Sequence, residues 1–376
     1  MSIFSDAIES LLSPIGDLLR DPSVTEVMIN GPSEIFVERK GLVYKTENKF
    51  PSDDALLSAM RAIAQSVGRV IDNDNPRLDA RLPDGSRIHV VLPPMAKNGT
   101  TVAIRKFSKE KLTLNDMIGF GSISKTAARF LDICIFLGKN LIVSGGTGSG
   151  KTTMLNVLGS RIPKTQRLII IEDASELQVK AEHVVQFETR KADPTRGTTE
   201  VTIRDLVISS MRLRPDRIIV GEVRGEEALD LIQVMNTGHD GSMGTVHANN
   251  PVDACTRLET LCLMGDTKIP PDAVRKMVGS AMQIVVQCSR YHDGGRRTSH
   301  ISEIIGLDVH GNYVARDIFR WVQTGKDPET GKYIGEMIPC GYVPTFFEDI
   351  MVNKLPFPKS QFIPPEWYIK MKKEAA

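Results

Sequence analysis

The sequence predicts an α/β protein in two parts: a small N-terminal α+β module, then a larger domain with a mostly parallel sheet. Three observations carry this. From Ser124 onward, apolar runs of strand length alternate with segments of helical period, the order that builds parallel strands joined by crossover helices. A glycine-rich loop, residues 145–150, lies between one apolar strand and the helix that follows. Before residue 110, short strand patterns are separated by turn clusters, which fits an antiparallel sheet.

The elements of the first part follow in order. Ile3 to Leu19 has apolar residues at helical spacing and stops before Asp21-Pro22. Val24 to Ile29 reads as a strand, Asn30 to Ser33 as a turn, and Ile35 to Glu38 as the returning strand. Asp53 to Val67 has the period of an amphipathic helix. Leu78 to Leu82, Arg87 to Leu92 and Thr101 to Phe107 read as strands, divided by Pro83-Asp84-Gly85 and by Pro93-Pro94. The domain plan is therefore 1–110 for the α+β module, 111–122 for a linker and 123–310 for the α/β domain. Residues 311–376 are expected as an appended C-terminal segment, with a turn-rich insertion at 323–340 and a proline-rich tail.

Composition narrows the class. Of 376 residues, 41% are hydrophobic and 25% charged, the balance of a globular protein rather than a disordered one. Lys and Arg number 47 against 46 Asp and Glu, so there is no overall basic signal for nucleic acid. No apolar run is long enough to cross a bilayer, so any membrane role is expected to be peripheral. The N-terminus lacks a basic region and cleavage site, and a cytoplasmic location is expected. The five cysteines are scattered without zinc-site spacing and are expected as reduced thiols.

The chemistry concentrates after residue 140. Gly145, Gly146, Thr147, Gly148, Ser149, Gly150, Lys151 and Thr152 fit the pattern G-x-x-x-x-G-K-[ST] at every position, with Thr153 next. Asn140 to Ser144 reads as a buried strand before the loop, and a helix begins after it. Such a loop turns backbone N–H groups toward a β-phosphate, and the helix N-terminus adds partial positive charge. Lys151 would neutralise phosphate oxygens and Thr152 would place its hydroxyl on Mg²⁺. A nucleoside triphosphate is the ligand this arrangement predicts.

Hydrolysis needs acids as well. Leu168 to Glu172, followed by Asp173 and Glu176, is an apolar strand that delivers carboxylates at its end. Asp216 to Val220, followed by Gly221, does the same for Glu222. Acids at the carboxyl ends of a parallel sheet can serve as water-orienting base and metal-shell ligand, the latter assigned to Glu222. A further strand lies between His239 and His247, and a histidine ending such a strand can bond a γ-phosphate or a catalytic carboxylate. Taken alone, each acid or histidine has a plain alternative as a salt-bridged strand end.

These boxes, in this order, resemble the type II/type IV secretion ATPase superfamily. The match is carried by the phosphate loop, Ile171-Glu172-Asp173-Ala174-Ser175-Glu176, Arg214 to Arg224, and Thr245-Val246-His247-Ala248-Asn249. Leu78 to Arg87, Val102 to Phe107 and Gly341 to Phe346 are most similar to the CpaF (TadA) branch, motors of tight-adherence pili. The resemblance implies a RecA-like ATPase domain, a PAS-like N-terminal domain and a homo-hexameric ring working with inner-membrane platform proteins. It implies ATP and Mg²⁺ as cofactors, Glu172 as catalytic carboxylate, Glu222 as Walker B acid and His247 as γ-phosphate sensor. It also implies that N-terminal arginines meet the phosphates, with Arg87 and Arg105 chosen from a set that includes Arg77 and Arg81. The strand end Val220-Gly221-Glu222 departs from the usual aspartate, and no four-cysteine zinc insert is present.

Overall fold

The structure is a computed structural model that describes residues 6–39, 41–82, 84–107, 112–192, 197–265 and 268–374. The expected helix start at Ile3, the turn residue Pro83 and the boundary at 110–111 lie outside those residues. The chain forms two compact units, Met1–Lys111 and Leu112–Ala376.

The first unit runs α1 (Asp6–Leu11), α2 (Gly16–Arg20), β1 (Val24–Asn30), β2 (Ile35–Arg39), β3 (Leu42–Lys45), α3 (Asp53–Ser66), β4 (Arg77–Arg81), β5 (Arg87–Val91) and β6 (Thr101–Arg105). Its six strands pair antiparallel in the order β3-β2-β1-β6-β5-β4. Helix α3 forms because Ser52 caps it, Oγ accepting from Ala55 N–H at 3.1 Å, and Asp53 and Asp54 face the positive end of its dipole. Leu56, Ala59, Met60, Ile63 and Ala64 recur at helical spacing and are buried with the alternating strand residues Val27, Ile29, Val37, Ile88 and Val90. Asp53 also accepts from Thr100 N–H at 2.8 Å, which ties the helix start to the start of β6.

The second unit contains α4 (Leu114–Gly119), α5 (Lys125–Phe136), β7 (Leu141–Gly145), α6 (Lys151–Gly159), β8 (Leu168–Glu172), β9 (Val184–Glu188), α7 (Ile203–Ser210), β10 (Arg217–Val220), α8 (Glu227–Asn236) and β11 (Met243–Val246). It continues with α9 (Pro251–Cys262), α10 (Pro271–Ala281), β12 (Ile284–Arg290), β13 (Arg296–Leu307), β14 (Tyr313–Lys326), β15 (Tyr333–Pro339), α11 (Phe347–Val352) and α12 (Glu366–Glu374). One sheet holds all nine strands, in the order β15-β14-β13-β12-β7-β11-β10-β8-β9. From β12 to β9 neighbours are parallel; from β12 to β15 they are antiparallel.

The parallel strands are apolar throughout because both faces are covered. Leu168 and Ile170 enter one core while Ile169 and Ile171 enter the other, and Leu141 and Val143 oppose Ile142 in the same way. Helices α5 and α6 cover the first face; α7 to α10 cover the second.

Two expectations are corrected here. Residues 311–376 are not an appendage: β14 and β15 extend the same sheet, and the insertion at 323–340 spans the end of β14, its turn and β15. The tail supplies Phe347, Ile350, Phe357 and Phe362 to the first core, where Phe130 stands 5.9 Å from both Phe357 and Phe362, ring centre to ring centre. Buried Glu303 on β13 holds the tail, accepting from Tyr342 Oη at 2.8 Å and from Thr345 N–H and Oγ1. Likewise, residues 114–119 of the expected linker form α4, capped by the reciprocal Thr113–Asp116 pair.

Candidate functional site

Strand β7 ends in the phosphate loop, and its neighbours decide what lies beside that loop. They are β12 on one side and β11 on the other, both later in the sequence. Gly145 is the register partner of Cys288, and a Cβ on Gly145 would meet the Cys288 carbonyl oxygen at 2.3 Å, so no side chain fits. Gly148 and Gly150 have φ of 67° and 98°, which turns the loop back onto α6. Gly150 caps α6 without a side-chain acceptor, which leaves the first-turn N–H groups directed outward. Gly146, Thr147 and Gly148 are exposed, as is Thr153, while Thr152 is half-buried on the first turn. Ser149 is turned inward, its Oγ donating to the Gly146 carbonyl at 2.8 Å. The loop is a cradle of backbone donors whose close backbone approach a Cβ would block; a phosphate chain fits it.

Lys151 is buried and donates from Nζ to the Gly146 carbonyl at 3.0 Å. Nζ also stands 3.3 Å from His247 Nε2, and that same nitrogen lies 2.7 Å from Glu222 Oε1. Glu222 Oε2 accepts from Arg224 at 2.5 Å, and Arg224 reaches Asp173 at 3.5 Å. A continuous row of charged and polar side chains therefore crosses the ends of α6, β11, β10 and β8. Sequence separation hides this row; strand order creates it.

The protonation states follow from the surroundings. Burial, and then the charge of Lys151, hold the His247 imidazole below its ordinary value against the pull of Glu222. Burial pushes the Glu222 carboxyl up, but the hydrogen bond and charge of Arg224, with His247 and Lys151, outweigh it and leave the group below the usual range. At neutral pH a neutral imidazole thus faces a carboxylate, its Nε2 2.7 Å from Glu222 Oε1 and within hydrogen-bond reach of Lys151 Nζ. Lys151 has both the Gly146 carbonyl and Nε2 within hydrogen-bond reach.

Glu172 lies one strand further out, at the end of β8 beside β10. Strand β8 is separated from β7 by β10 and β11, about 14 Å at ordinary strand spacing. Its carboxylate is buried, and Oε1 accepts from the N–H groups of Glu176 and Leu177 at 2.9 and 3.0 Å. Its Cγ presses on Gly221, where a Cβ would come within 2.8 Å. His239, at the other end of β11, is remote from the phosphate loop in the strand direction.

In the first unit Arg87 and Arg105 are register partners on β5 and β6. Arg81 on β4 pairs with Arg87, and Glu26 on β1 pairs with Arg105. Three arginines therefore lie side by side on one face of the sheet, an arrangement that costs like-charge repulsion unless anions meet it. Sequence reading named two of the three for a site role; the register that groups them is a tertiary property.

Two basic residues beside the phosphate loop had no signal in the motifs. Arg296, at the start of β13, donates from Nε to the Gly148 carbonyl at 2.9 Å, and Arg290 lies 3.2 Å from where a Gly148 Cβ would stand. For the metal, Thr152 and Glu222 offer hard oxygen donors, the chemistry that suits Mg²⁺.

Residues 9–295 match the family described as Type II/IV secretion system protein. A putative conjugal transfer protein of Mycobacterium tuberculosis is 33% identical over 291 residues, covering 76% of this chain and 82% of the relative. The type IV secretion system protein VirB11 of Brucella suis is 34% identical over 323 residues, covering 78% and 88%. Among solved structures, the pilus retraction motor PilT with bound ADP aligns with a TM-score of 0.53 at 18% identity, covering 94% of this chain and 88% of that one; this likeness is one of fold. No helix among the described residues is long and apolar enough to cross a membrane. With an unbroken phosphate-loop motif and a family match spanning most of its length, the chain belongs to the type II/IV secretion system protein family and is an ATPase.

Proposed function

We propose that this ATPase is a homo-hexameric motor that powers assembly of a tight-adherence type pilus, working with platform proteins at the cytoplasmic face of the inner membrane. The observation that carries the motor chemistry is the contact chain from Lys151 through His247 to Glu222 beside the phosphate loop. The pilus assignment rests on the N-terminal phrases Leu78 to Arg87 and Val102 to Phe107 and on the ending Gly341 to Phe346.

The residues divide the work as follows. The loop N–H groups and the α6 N-terminus receive the β-phosphate. Lys151 leaves the Gly146 carbonyl for the β- and γ-oxygens, a short movement since its head already lies within the loop. Glu222, kept ionised and oriented by His247 and Arg224, accepts a hydrogen bond from the attacking water or from the metal's water shell. Mg²⁺, held by Thr152 and Glu222, would neutralise charge on the phosphate oxygens. Arg87 and Arg105 would supply cations for the γ-phosphate, and Glu172 would be a second acid, one strand over from Glu222.

A second reading, an engine for secreting protein or DNA, is favoured by the names of the relatives, which are conjugal transfer and type IV secretion proteins. Steady-state Mg²⁺-ATPase activity against protein concentration, with mass by light scattering, tests the motor. A rate per subunit that rises with hexamer formation supports it; full activity from monomers removes the ring. Deleting the gene separates the two machines: loss of surface filaments with secretion intact favours the pilus, and the reverse favours transport.

A further inference from the structure

Arg224 closes the box Arg214 to Arg224 without an assigned role, yet it occupies the pivotal place in the row of strand ends. Its backbone is fixed. Buried Glu227 accepts from Arg224 N–H at 2.6 Å and from Gly225 N–H at 2.9 Å through one oxygen, pinning the loop after β10. Its side chain leaves that pinned base with 57% exposure and reaches two acids on different strands. One guanidinium nitrogen bonds Glu222 Oε2 at 2.5 Å and the other stands 3.5 Å from Asp173 Oδ2.

The consequence falls on Glu222. Its terminal torsion is broad and roughly two-fold, so a carboxylate with one partner rotates easily. Here His247 lies against Oε1 and Arg224 holds Oε2, so the plane of the group is fixed from both sides. His247 alone cannot fix it, because it meets only Oε1 and Lys151 beside it must serve the phosphates. Arg224, by contrast, spans to Asp173 just after β8, so the acid that follows β10 is braced from the neighbouring strand's end.

We propose that Arg224 is a positioning residue for Glu222, braced against Asp173, that holds the Glu222 carboxylate in the orientation that directs Oε1 at His247 and the phosphate loop. The guanidinium need not touch nucleotide. A lysine in its place can satisfy one acid but cannot fork between two, so it restores the effect only in part. The inference rests on the ATPase reading of the site, and its structural prediction holds for the nucleotide-free protein as well.

The test uses the full chain with Arg224→Gln, Arg224→Lys, Asp173→Asn and the Arg224→Gln/Asp173→Asn double variant. We expect Arg224→Gln to lower kcat about 10- to 100-fold, the cost of a misplaced catalytic group, with Kd for a fluorescent ATP analogue changed less than about 3-fold. Arg224→Lys should recover part of the loss. Asp173→Asn should lower kcat less, and should add nothing in the Arg224→Gln background. A crystal structure of nucleotide-free Arg224→Gln should show Glu222 Oε1 turned away from His247. An unchanged kcat, a Kd that rises in step with the loss of kcat/KM, full additivity with Asp173→Asn, or an unmoved Glu222 carboxylate would each overturn the proposal. If wild type itself hydrolyses no ATP, the ATPase reading fails, and the crystal structure still decides the position of Glu222.

Discussion

His247 Nε2 lies 2.7 Å from Glu222 Oε1 and 3.3 Å from Lys151 Nζ, so one imidazole nitrogen links the acid and the phosphate-binding cation. The nitrogen thus stands between an ionised carboxylate and an ammonium. Loss of His247 therefore frees Glu222 on one side. His247→Ala is expected to lower kcat about 10- to 100-fold, with nucleotide affinity little changed. His247→Gln keeps an N–H donor of similar reach and should retain much of the rate. Equal losses in the two variants, measured by steady-state kinetics, would show that the donor is not what matters.

Lys151 is held by the Gly146 carbonyl in the nucleotide-free site, so its charge is already at the position where phosphate arrives. Lys151→Ala removes that charge and leaves the glycine cradle intact. Turnover should fall at least about 100-fold, and the ATP Kd should rise more than the ADP Kd, because the γ-phosphate loses the larger share of its countercharge. Titration calorimetry with both nucleotides checks this; equal changes in the two constants would argue that Lys151 serves the β-phosphate alone.

The phosphate loop was legible in the sequence because eight consecutive residues and their flanking strand and helix specify it locally. The partners of Lys151 were not. His247 and Glu222 were legible as strand ends, but that β11 and β10, rather than β8, lie on that side of β7 is a fact of topology. Strand β3 escaped because all four of its residues are exposed, so burial imposes no alternation. The tail read as an appendage because prolines dominate its local pattern, whereas its place is set by Phe357 and Phe362 meeting Phe130 more than two hundred residues away in sequence. Arg81, Arg87 and Arg105 become a group only through strand register.

The Glu303 latch yields a stability prediction separate from activity. Glu303→Ala strips the acceptor from Tyr342 Oη, Thr345 N–H and Thr345 Oγ1 in a buried place. Loss of these charge-assisted bonds from half-buried Tyr342 and exposed Thr345 should destabilise the second unit by about 1–3 kcal/mol, and Tyr342→Phe by about 1 kcal/mol. Urea unfolding followed by tryptophan fluorescence reads both values, since Trp321 lies in this unit. An unfolding midpoint unmoved by Glu303→Ala would mean that the aromatic cluster alone holds the tail.

Asp293 supplies the pH dependence. Hydrogen bonds from Arg297, at 2.7 Å to one oxygen, and from Tyr333 N–H and Gly295 N–H hold its carboxyl far below the usual range against the cost of burial. A depressed folded-state value means that the stabilisation is complete above the unfolded value near pH 4 and is lost as pH falls through the folded value. The difference in Tm between wild type and Asp293→Asn should therefore be constant from about pH 7 to 5 and shrink below about pH 4. A gap that stays constant down to pH 2 would contradict the assigned ion pair.

Glu172 and Glu222 compete for the role of base, and their surroundings separate them. Glu172 Oε1 is committed to the N–H groups of Glu176 and Leu177, and its strand lies three places from β7. Glu222 lies in the contact chain that ends at Lys151. Glu222→Gln should keep ATP bound while lowering kcat by about 100-fold or more, as expected for loss of a general base. Glu172→Gln exchanges one carboxylate oxygen for an amide and, if its part is to shape the turn after β8, should cost stability before it costs turnover. Thermal unfolding and single-turnover hydrolysis of the two variants decide between the acids. A Glu172→Gln protein that folds with wild-type Tm, binds ATP and fails to hydrolyse it would return the catalytic role to Glu172, and would require the end of β8 to approach the γ-phosphate when nucleotide binds.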